Sequence, residues 1–466
     1  MFRIFSQYVS AKTILLIFLE NVLIALSLLL GARLRFWNSP AEFENYVQFP
    51  DFILQVITVT VIFQVALYYG NLYNPALIRQ RRELIMALGQ ALGGGTVVVG
   101  LVYYLVPRLL IGRGVFFIGM SLVLASFVLS RVALDHAWTL AAPTGTILIL
   151  GTKELAATVA RELRKRDDLN LRIIGFVGER ADAPEEFCGQ TVFGHDSQLE
   201  SLIRDHRVTR VIVALEDQRG CLPVRDLVKL RVQGIRIDDA HSTVAALTGR
   251  VWLHTVKPSW FVFSEGFHRA RLGLAAKRVC DLTCALVGLV LALPIMALTA
   301  LVIRLDSKGP IIYRQTRVGL KGATFNVLKF RSMRVDAETG KGAQWASKND
   351  PRVTKVGRFL RKCRLDELPQ LINVIRGEMS FVGPRPERPV FVDQLREQIA
   401  YYDERHSVRP GLTGWAQVQY PYGASVEDAF RKLEYDLFYL KNMSISFDLL
   451  ILLQTVRIVF TGKGAQ

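Results

Sequence analysis

Asp366 and Glu367 stand side by side in a run of cations, with Arg361 and Arg364 before them and Arg385 and Arg388 after. A carboxylate can attack phosphorus or hold a metal ion, and guanidinium forks match the oxygens of a phosphate. Pro369 closes the acidic pair, and Pro384 and Pro386 hold Arg385 in a rigid turn. The pattern suits a site that handles a phosphate diester. The competing reading is a solvated helix face carrying ion pairs, the usual fate of mixed charge. Lys329 and Arg331 follow an apolar strand-like run and are further candidates, for phosphate or equally for lipid headgroups.

The stretch 361–386 resembles the signature of the bacterial polyprenyl-phosphate sugar-phosphate transferases, the monotopic phosphoglycosyl transferases that start exopolysaccharide and O-antigen assembly. Further blocks fall in the family's order over residues 270–460. They are Lys277-Arg278 with Asp281, Gly309-Pro310, Arg314-Gln315, Arg317-Val318-Gly319 and Lys329-Phe330-Arg331-Ser332-Met333, then Arg409-Pro410-Gly411-Leu412-Thr413-Gly414-Trp415, and Glu434-Tyr435-Asp436 with Tyr439. The resemblance implies that Asp366 attacks the sugar-linked phosphorus of a UDP-sugar. UMP leaves, and undecaprenyl phosphate takes the sugar phosphate from a phosphosugar-aspartyl intermediate. Glu367 would hold a divalent cation or manage a proton. Mg2+ is the ion expected, with Asp366 and Glu367 as its oxygen ligands. Charge develops as phosphorus is attacked, so Arg361 and Arg385, then Arg364 and Arg388, are expected on the phosphates, with Lys329 and Arg331 behind them. Large members of the family mostly use UDP-glucose or UDP-galactose, so a hexose 1-phosphate and a homodimer are expected by analogy. Gln419-Tyr420-Pro421-Tyr422-Gly423-Ala424 stands where the family often has Asn-Gly-Arg, which leaves any substrate role there in doubt.

A lipid acceptor requires a membrane surface. The 466 residues have room for two or three domains. They are 51% hydrophobic with a net charge of +17 and a mean hydropathy of +0.26, which fits a membrane protein with basic cytoplasmic parts. No recognition motif with interleaved aromatics accompanies the charge, so no nucleic-acid partner is expected. The five cysteines are odd in number and lack C-x-x-C spacing, so neither a disulfide framework nor a zinc site follows.

The expected fold class is membrane α plus α/β. Four apolar stretches, 14–30, 52–69, 86–106 and 115–134, approach the length that crosses about 30 Å of hydrocarbon, and predict a four-helix transmembrane bundle over 1–140. No cleavage site follows the first, which reads as an anchor. Arg79, Arg81 and Arg82, with Arg3 and Lys12, slightly outweigh Arg33, Arg35, Arg108 and Arg113 in the opposite loops. That bias puts both ends of the bundle in the cytoplasm. Over 143–250, strand patterns at 147–150, 172–177, 208–215 and 235–237 alternate with helical ones, predicting a Rossmann-like parallel α/β module. Gly151-Thr152-Lys153-Glu154 keeps one glycine of G-x-G-x-x-G, so a structural or regulatory module is preferred to a cofactor site.

After a linker at 251–270, a mostly helical α/β catalytic domain is expected over 271–466. Its apolar run at 282–302 has Pro294 near the middle and the length to span. Spanning would strand the downstream residues on the outer face, away from a cytosolic donor. That includes most of a segment, 269–365, with 20 Lys/Arg against 5 Asp/Glu. A re-entrant helix at about 279–303, broken at Pro294, resolves the conflict, and the resemblance implies such an anchor, with Lys277, Arg278, Asp281 and Pro294 as its residues. Its basic flanks would rest on anionic headgroups at about 1 kcal/mol each. The catalytic and Rossmann-like parts then lie on the cytoplasmic face of a bacterial inner membrane.

Trp415 either offers a stacking face or fills the core, and Tyr420, Tyr422, Tyr435 and Tyr439 either meet uracil or pack. The closing run 447–460 reads as an amphipathic surface helix. A membrane-anchored nucleotide-sugar dehydratase or epimerase is the competing enzyme, but the α/β module has neither a full glycine fingerprint nor a Tyr-x-x-x-Lys. A non-catalytic scaffold of the polysaccharide machinery would leave the acidic pair without a task.

Overall fold

The computed structural model describes the chain apart from residues 1, 5–6, 49, 71, 74–80, 141–144, 179–183, 194–198, 216–221, 257, 265, 268–270, 335–350, 421–422, 424 and 462–466. Arg79 and Tyr422 therefore lie outside the described residues. Four apolar helices, Ala11–Arg35, Pro50–Tyr69, Arg81–Leu105 and Arg113–Leu140, open the fold. Ile24 and Leu28, Val59 and Phe63, Leu88 and Val99, and Val123 and Phe127 bring all four into one core. Their outer faces, among them Phe18, Ile53, Val97 and Leu129, are exposed and apolar, which lipid tolerates and water does not. Each helix contains a stretch long and apolar enough to cross a membrane. The first and fourth meet backbone to backbone, since a Cβ on Gly31 would lie 2.8 Å from the nitrogen of Gly119. Buried inside this apolar core is an ion pair absent from the sequence reading. Arg131 Nε donates to Glu20 Oε1 at 2.8 Å, and the Tyr73 hydroxyl donates to Glu20 Oε2 at 2.6 Å.

The α/β module follows. Parallel strands Gly145–Leu150, Leu171–Val177, Gln190–Phe193, Arg210–Val213 and Arg236–Asp239 lie in the spatial order third, second, first, fourth, fifth, and Glu186–Phe187 pairs antiparallel at the edge. Side chains alternate across the central strand. Ile147 and Ile149 meet helices Glu154–Arg164 and Ala240–Thr248 on one face, while Leu148 and Leu150 meet Leu199–Asp205 and Val224–Val232 on the other. This is the doubly wound arrangement that the alternation implied.

The last part is gathered around helix Arg271–Asp306, which runs 36 residues through Pro294 without the break expected there; Pro294 is exposed, and the one backbone donor it lacks does not end the helix. Asp281, Ala285, Ala292, Thr299 and Ile303 form its buried stripe at spacings of four, seven, seven and four residues, which is one helix face. Val290, Leu291, Leu298 and Leu305 are exposed. Against the stripe pack an antiparallel hairpin, Ile312–Val318 with Thr324–Phe330, and helices Lys355–Lys362 and Gln370–Arg376. Helices Pro389–Gln398, Val426–Asn442 and Ile445–Thr461 enclose a second core with Val382, Trp415, Phe438 and Phe447. Val251 and Leu253, from the expected linker, are buried in that core. Ser425 and Asp428 form a reciprocal cap that starts Val426–Asn442. The closing helix Ile445–Thr461 touches the second apolar helix, where the Tyr69 hydroxyl donates to the Leu453 carbonyl at 3.2 Å.

Candidate active site

The acidic pair is delivered by a helix that stops abruptly. Thr354 caps helix Lys355–Lys362 by accepting from Gly357 N at 2.9 Å, and Arg361 and Lys362 sit in its last turn, where helix polarity favours cations. The chain then takes a left-handed torsion at Arg364, φ 58°, and enters a single 3-10 turn, Leu365–Glu367. Such a torsion is uncommon for a residue with a Cβ and marks a constrained turn. Leu365 and Leu368 bracket the pair and pack against the core of Ile303, Phe330 and Leu360. Helix Gln370–Arg376 follows at once and ends at Gly377, φ 83°, a standard left-handed cap.

Glu367 collects the ion pairs. Lys329 Nζ donates to its Oε1 at 2.9 Å, Arg385 Nη2 donates to the same oxygen at 3.0 Å, and Arg364 Nη1 lies 3.8 Å from Oε2. Burial alone would raise the Glu367 carboxyl, but these three cations outweigh it and hold it well below the usual carboxylate range. Asp366 is 7% exposed. Burial pushes its carboxyl up, against the pull of Lys329, Arg361 and Arg364 and with the push of Glu367. Burial likewise lowers the Lys329 ammonium, although Glu367 favours its charged form. The neighbours thus have different environments: Glu367 is fixed in a cationic clasp, and Asp366 stands beside it in a desolvated pocket.

Arg361, Arg364, Arg385 and Lys329 all reach this cluster, by contact or by field. Arg361 is steered by donating from Nε to Ser332 Oγ at 2.9 Å. Arg388 stands half-buried at the start of helix Pro389–Gln398. Arg331 faces elsewhere: it donates to the carbonyls of Ser307 at 2.7 Å and Lys308 at 3.1 Å, at the end of the anchor helix. The anchor residues also grip protein. Lys277 pairs with Asp448 at 2.6 Å, Arg278 donates to the carbonyls of Val374 and Ile375, and Asp281 accepts from Ser380 Oγ at 2.7 Å and Phe381 N at 3.1 Å. Pro294 lies on the exposed, apolar part of the helix.

A Mg2+ ion that shares a pyrophosphate needs only one or two carboxylates from protein. Asp366 and Glu367 meet that count, and among the described residues no third His, Cys, Asp or Glu joins them. Oε1 of Glu367 is shared by two cations and Oε2 faces Arg364, so a metal would meet the less encumbered carboxylate of Asp366 first.

The other motifs make contacts within the fold. Gly411–Thr413 pairs in parallel with Ser380–Val382, and Trp415 is 2% exposed, its Nε1 donating to the Gly249 carbonyl at 2.7 Å. Glu434, fully buried, accepts from Arg250 at 3.0 Å and Leu253 N at 3.3 Å. The Tyr439 hydroxyl donates to Asp448 at 2.8 Å, and that of Tyr420 to Asp428 at 3.0 Å. Sequence reasoning passed over Arg405, whose Nη2 donates to the Arg385 carbonyl at 2.9 Å. In the run Asp403-Glu404-Arg405 it looks like one more solvated charge.

The family described as bacterial sugar transferase matches residues 272–462. The chain is 47% identical over 190 residues to the UDP-N-acetylgalactosamine-undecaprenyl-phosphate N-acetylgalactosaminephosphotransferase of Aeromonas hydrophila, covering 41% of this chain and 45% of that protein. It is 28% identical over 483 residues to the UDP-glucose:undecaprenyl-phosphate glucose-1-phosphate transferase of Xanthomonas campestris pv. campestris, covering 99% and 96%. It is also 39% identical to the exopolysaccharide production protein PSS of Rhizobium leguminosarum bv. phaseoli, over 41% of this chain and 100% of that protein. The match thus spans less than half of the Aeromonas relative, all of the Rhizobium one and nearly all of the Xanthomonas one. With its acidic pair, cationic clasp and anchor helix inside the matched region, the chain belongs to the bacterial sugar transferase family, the polyprenyl-phosphate sugar-phosphate transferases.

Proposed function

We propose that the protein transfers a hexose 1-phosphate from a UDP-sugar to undecaprenyl phosphate, the initiating step of an exopolysaccharide or O-antigen. The observation that carries this is Asp366, buried in a cation-lined turn that packs on the end of an apolar anchor helix. A carboxylate oxygen of Asp366 bonds to the sugar-linked phosphorus, and the bond from that phosphorus to the bridging oxygen breaks. UMP leaves with the bridging oxygen and its electron pair. A phosphate oxygen of the lipid then bonds to the same phosphorus, the aspartyl bond breaks, and the carboxylate is restored. Arg361, Arg364, Arg385 and Lys329, gathered around the acidic pair, would neutralise the charge that accumulates on the phosphoryl oxygens. Arg388 is the outer member of this set. Mg2+, held by Asp366 and Glu367 together with substrate oxygens, would supply further neutralisation of the pyrophosphate.

The anchor helix enters and leaves one leaflet. Supporting this, one polar domain grips it near its start, through Lys277, Arg278 and Asp281, and at its end, through Arg331. A helix that crossed the bilayer could not have both ends held by the same polar domain. The contact of Tyr69 with Leu453 sets the end of the second apolar helix beside this domain, which is consistent with a cytoplasmic loop there and with all soluble parts on the cytoplasmic face. The relative aligned end to end bears a glucose transferase name, which favours UDP-glucose over UDP-N-acetylgalactosamine. The test is UMP release from a panel of UDP-sugars, in membrane nanodiscs with Mg2+ and undecaprenyl phosphate. Lipid-dependent release with UDP-glucose is expected, falling about a thousandfold or more in Asp366→Asn. Release from no donor by folded protein sinks the proposal.

A further inference from the structure

We infer that Arg405 is a positioning residue for Arg385, acting through the main chain and without touching substrate; this rests on the phosphate-binding role proposed above for Arg385. Pro384, Arg385 and Pro386 have a single backbone N–H among them, so ladder hydrogen bonds cannot pin this arm from the donor side. It is pinned by its carbonyls instead. The oxygen of Pro384 accepts from Gly411 N at 2.9 Å, that of Arg385 from Arg405 Nη2 at 2.9 Å, and that of Pro386 from Arg317 Nη1 at 3.1 Å. Pro386 also keeps the Arg385 backbone out of the helical region. From this arm the Arg385 guanidinium reaches Glu367 at 3.0 Å.

Arg405 is itself held on two further sides. It is 6% exposed, its Nη1 donates to the Tyr402 hydroxyl at 2.6 Å, and its Nη2 lies 3.0 Å from Asp436 Oδ2. Asp436, 2% exposed, belongs to helix Val426–Asn442, whose Glu434 ties into residues 250–253. A buried Arg–Asp pair seldom adds stability over apolar side chains of equal volume. What this pair adds is direction: a rigid planar fork holds a carboxylate, a phenol and a carbonyl from separate nitrogens in fixed directions, whereas the three donors of lysine share one freely rotating nitrogen.

The test is a double-mutant cycle on full-length protein in nanodiscs. Arg405→Lys keeps the charge and removes the fork. In the native background it lowers kcat for UMP release about tenfold and weakens UDP binding several-fold, both measured per folded protein and below the variant's lowered Tm. On an Arg385→Ala background the same change alters either quantity by less than about twofold, because the arm no longer carries its ligand. Equal losses on both backgrounds, or no loss on the native one, overturn the inference. Asp436→Asn, of the same shape, carries the cycle if Arg405→Lys does not accumulate as folded protein. UDP binding reads the cycle even where no donor releases UMP, so failure of the transfer reading and failure of the positioning reading remain distinct.

Discussion

Two adjacent carboxylates acquire different properties here because cations outweigh burial at one and burial outweighs cations at the other. Lys329, Arg385 and Arg364 hold Glu367 ionised, while burial raises Asp366. A nucleophilic Asp366 must be ionised, so the rate climbs as pH rises through its raised pKa. Lys329 must stay cationic, so the rate falls as pH rises through its lowered pKa. The expected kcat profile is a bell narrower than ordinary aspartate and lysine would give, with both limbs belonging to the coupled cluster. Lys329→Met should remove the alkaline limb, and a limb that survives it would assign that ionisation elsewhere. The types of these residues were legible in the sequence, but their pairing was not. Lys329 and Glu367 are 38 positions apart, and only the hairpin brings them together. Lys329 and Arg331 looked equivalent, yet the strand ends at Phe330, which frees Arg331 to turn toward the anchor helix.

Among the elements, the short parallel pair Ser380–Val382 and Gly411–Thr413 aims the arm that bears Arg385. Its backbones approach so closely that a Cβ on Gly411 would lie 2.1 Å from Gly383 N and 2.2 Å from the Thr413 carbonyl. Gly411→Ala is therefore expected to cost about 1–3 kcal/mol and to lower activity more than the loss of folded protein explains, because Gly383 leads directly into Pro384. Unchanged Tm and rate would contradict this account of the glycines. Two glycines and a proline in this block would also suit a tight loop that presents donors to substrate. Glycine is equally what a backbone crossing requires, and one sequence cannot separate the two. The apolar helices were legible because a continuous hydrophobic run has few alternatives. Strand Gln190–Phe193 was not, since two polar residues followed by two apolar ones show no alternation.

Across the whole molecule the three parts interlock. Val251 is fully buried and Leu253 nearly so in the catalytic core, and the Gly249 carbonyl receives the Trp415 indole. A fragment that starts at 272 loses these contacts, while one that starts at 249 keeps them. Burying two aliphatic side chains stabilises by about 1.5–3 kcal/mol each, so the longer fragment should melt several degrees higher in nanodiscs; equal melting would mean that residues 249–271 are a passive linker. The strand and helix alternation stops at 250, and nothing in the composition signals that the next residues pack forward. Covalent transfer through Asp366 leaves an adduct that intact-protein mass spectrometry detects after incubation with UDP-glucose and Mg2+ in the absence of lipid acceptor. A mass increase of one hexose phosphate is expected, lost on adding undecaprenyl phosphate and absent from Asp366→Asn. Lipid-dependent UMP release that persists in Asp366→Asn, with no adduct on the native chain, would contradict it.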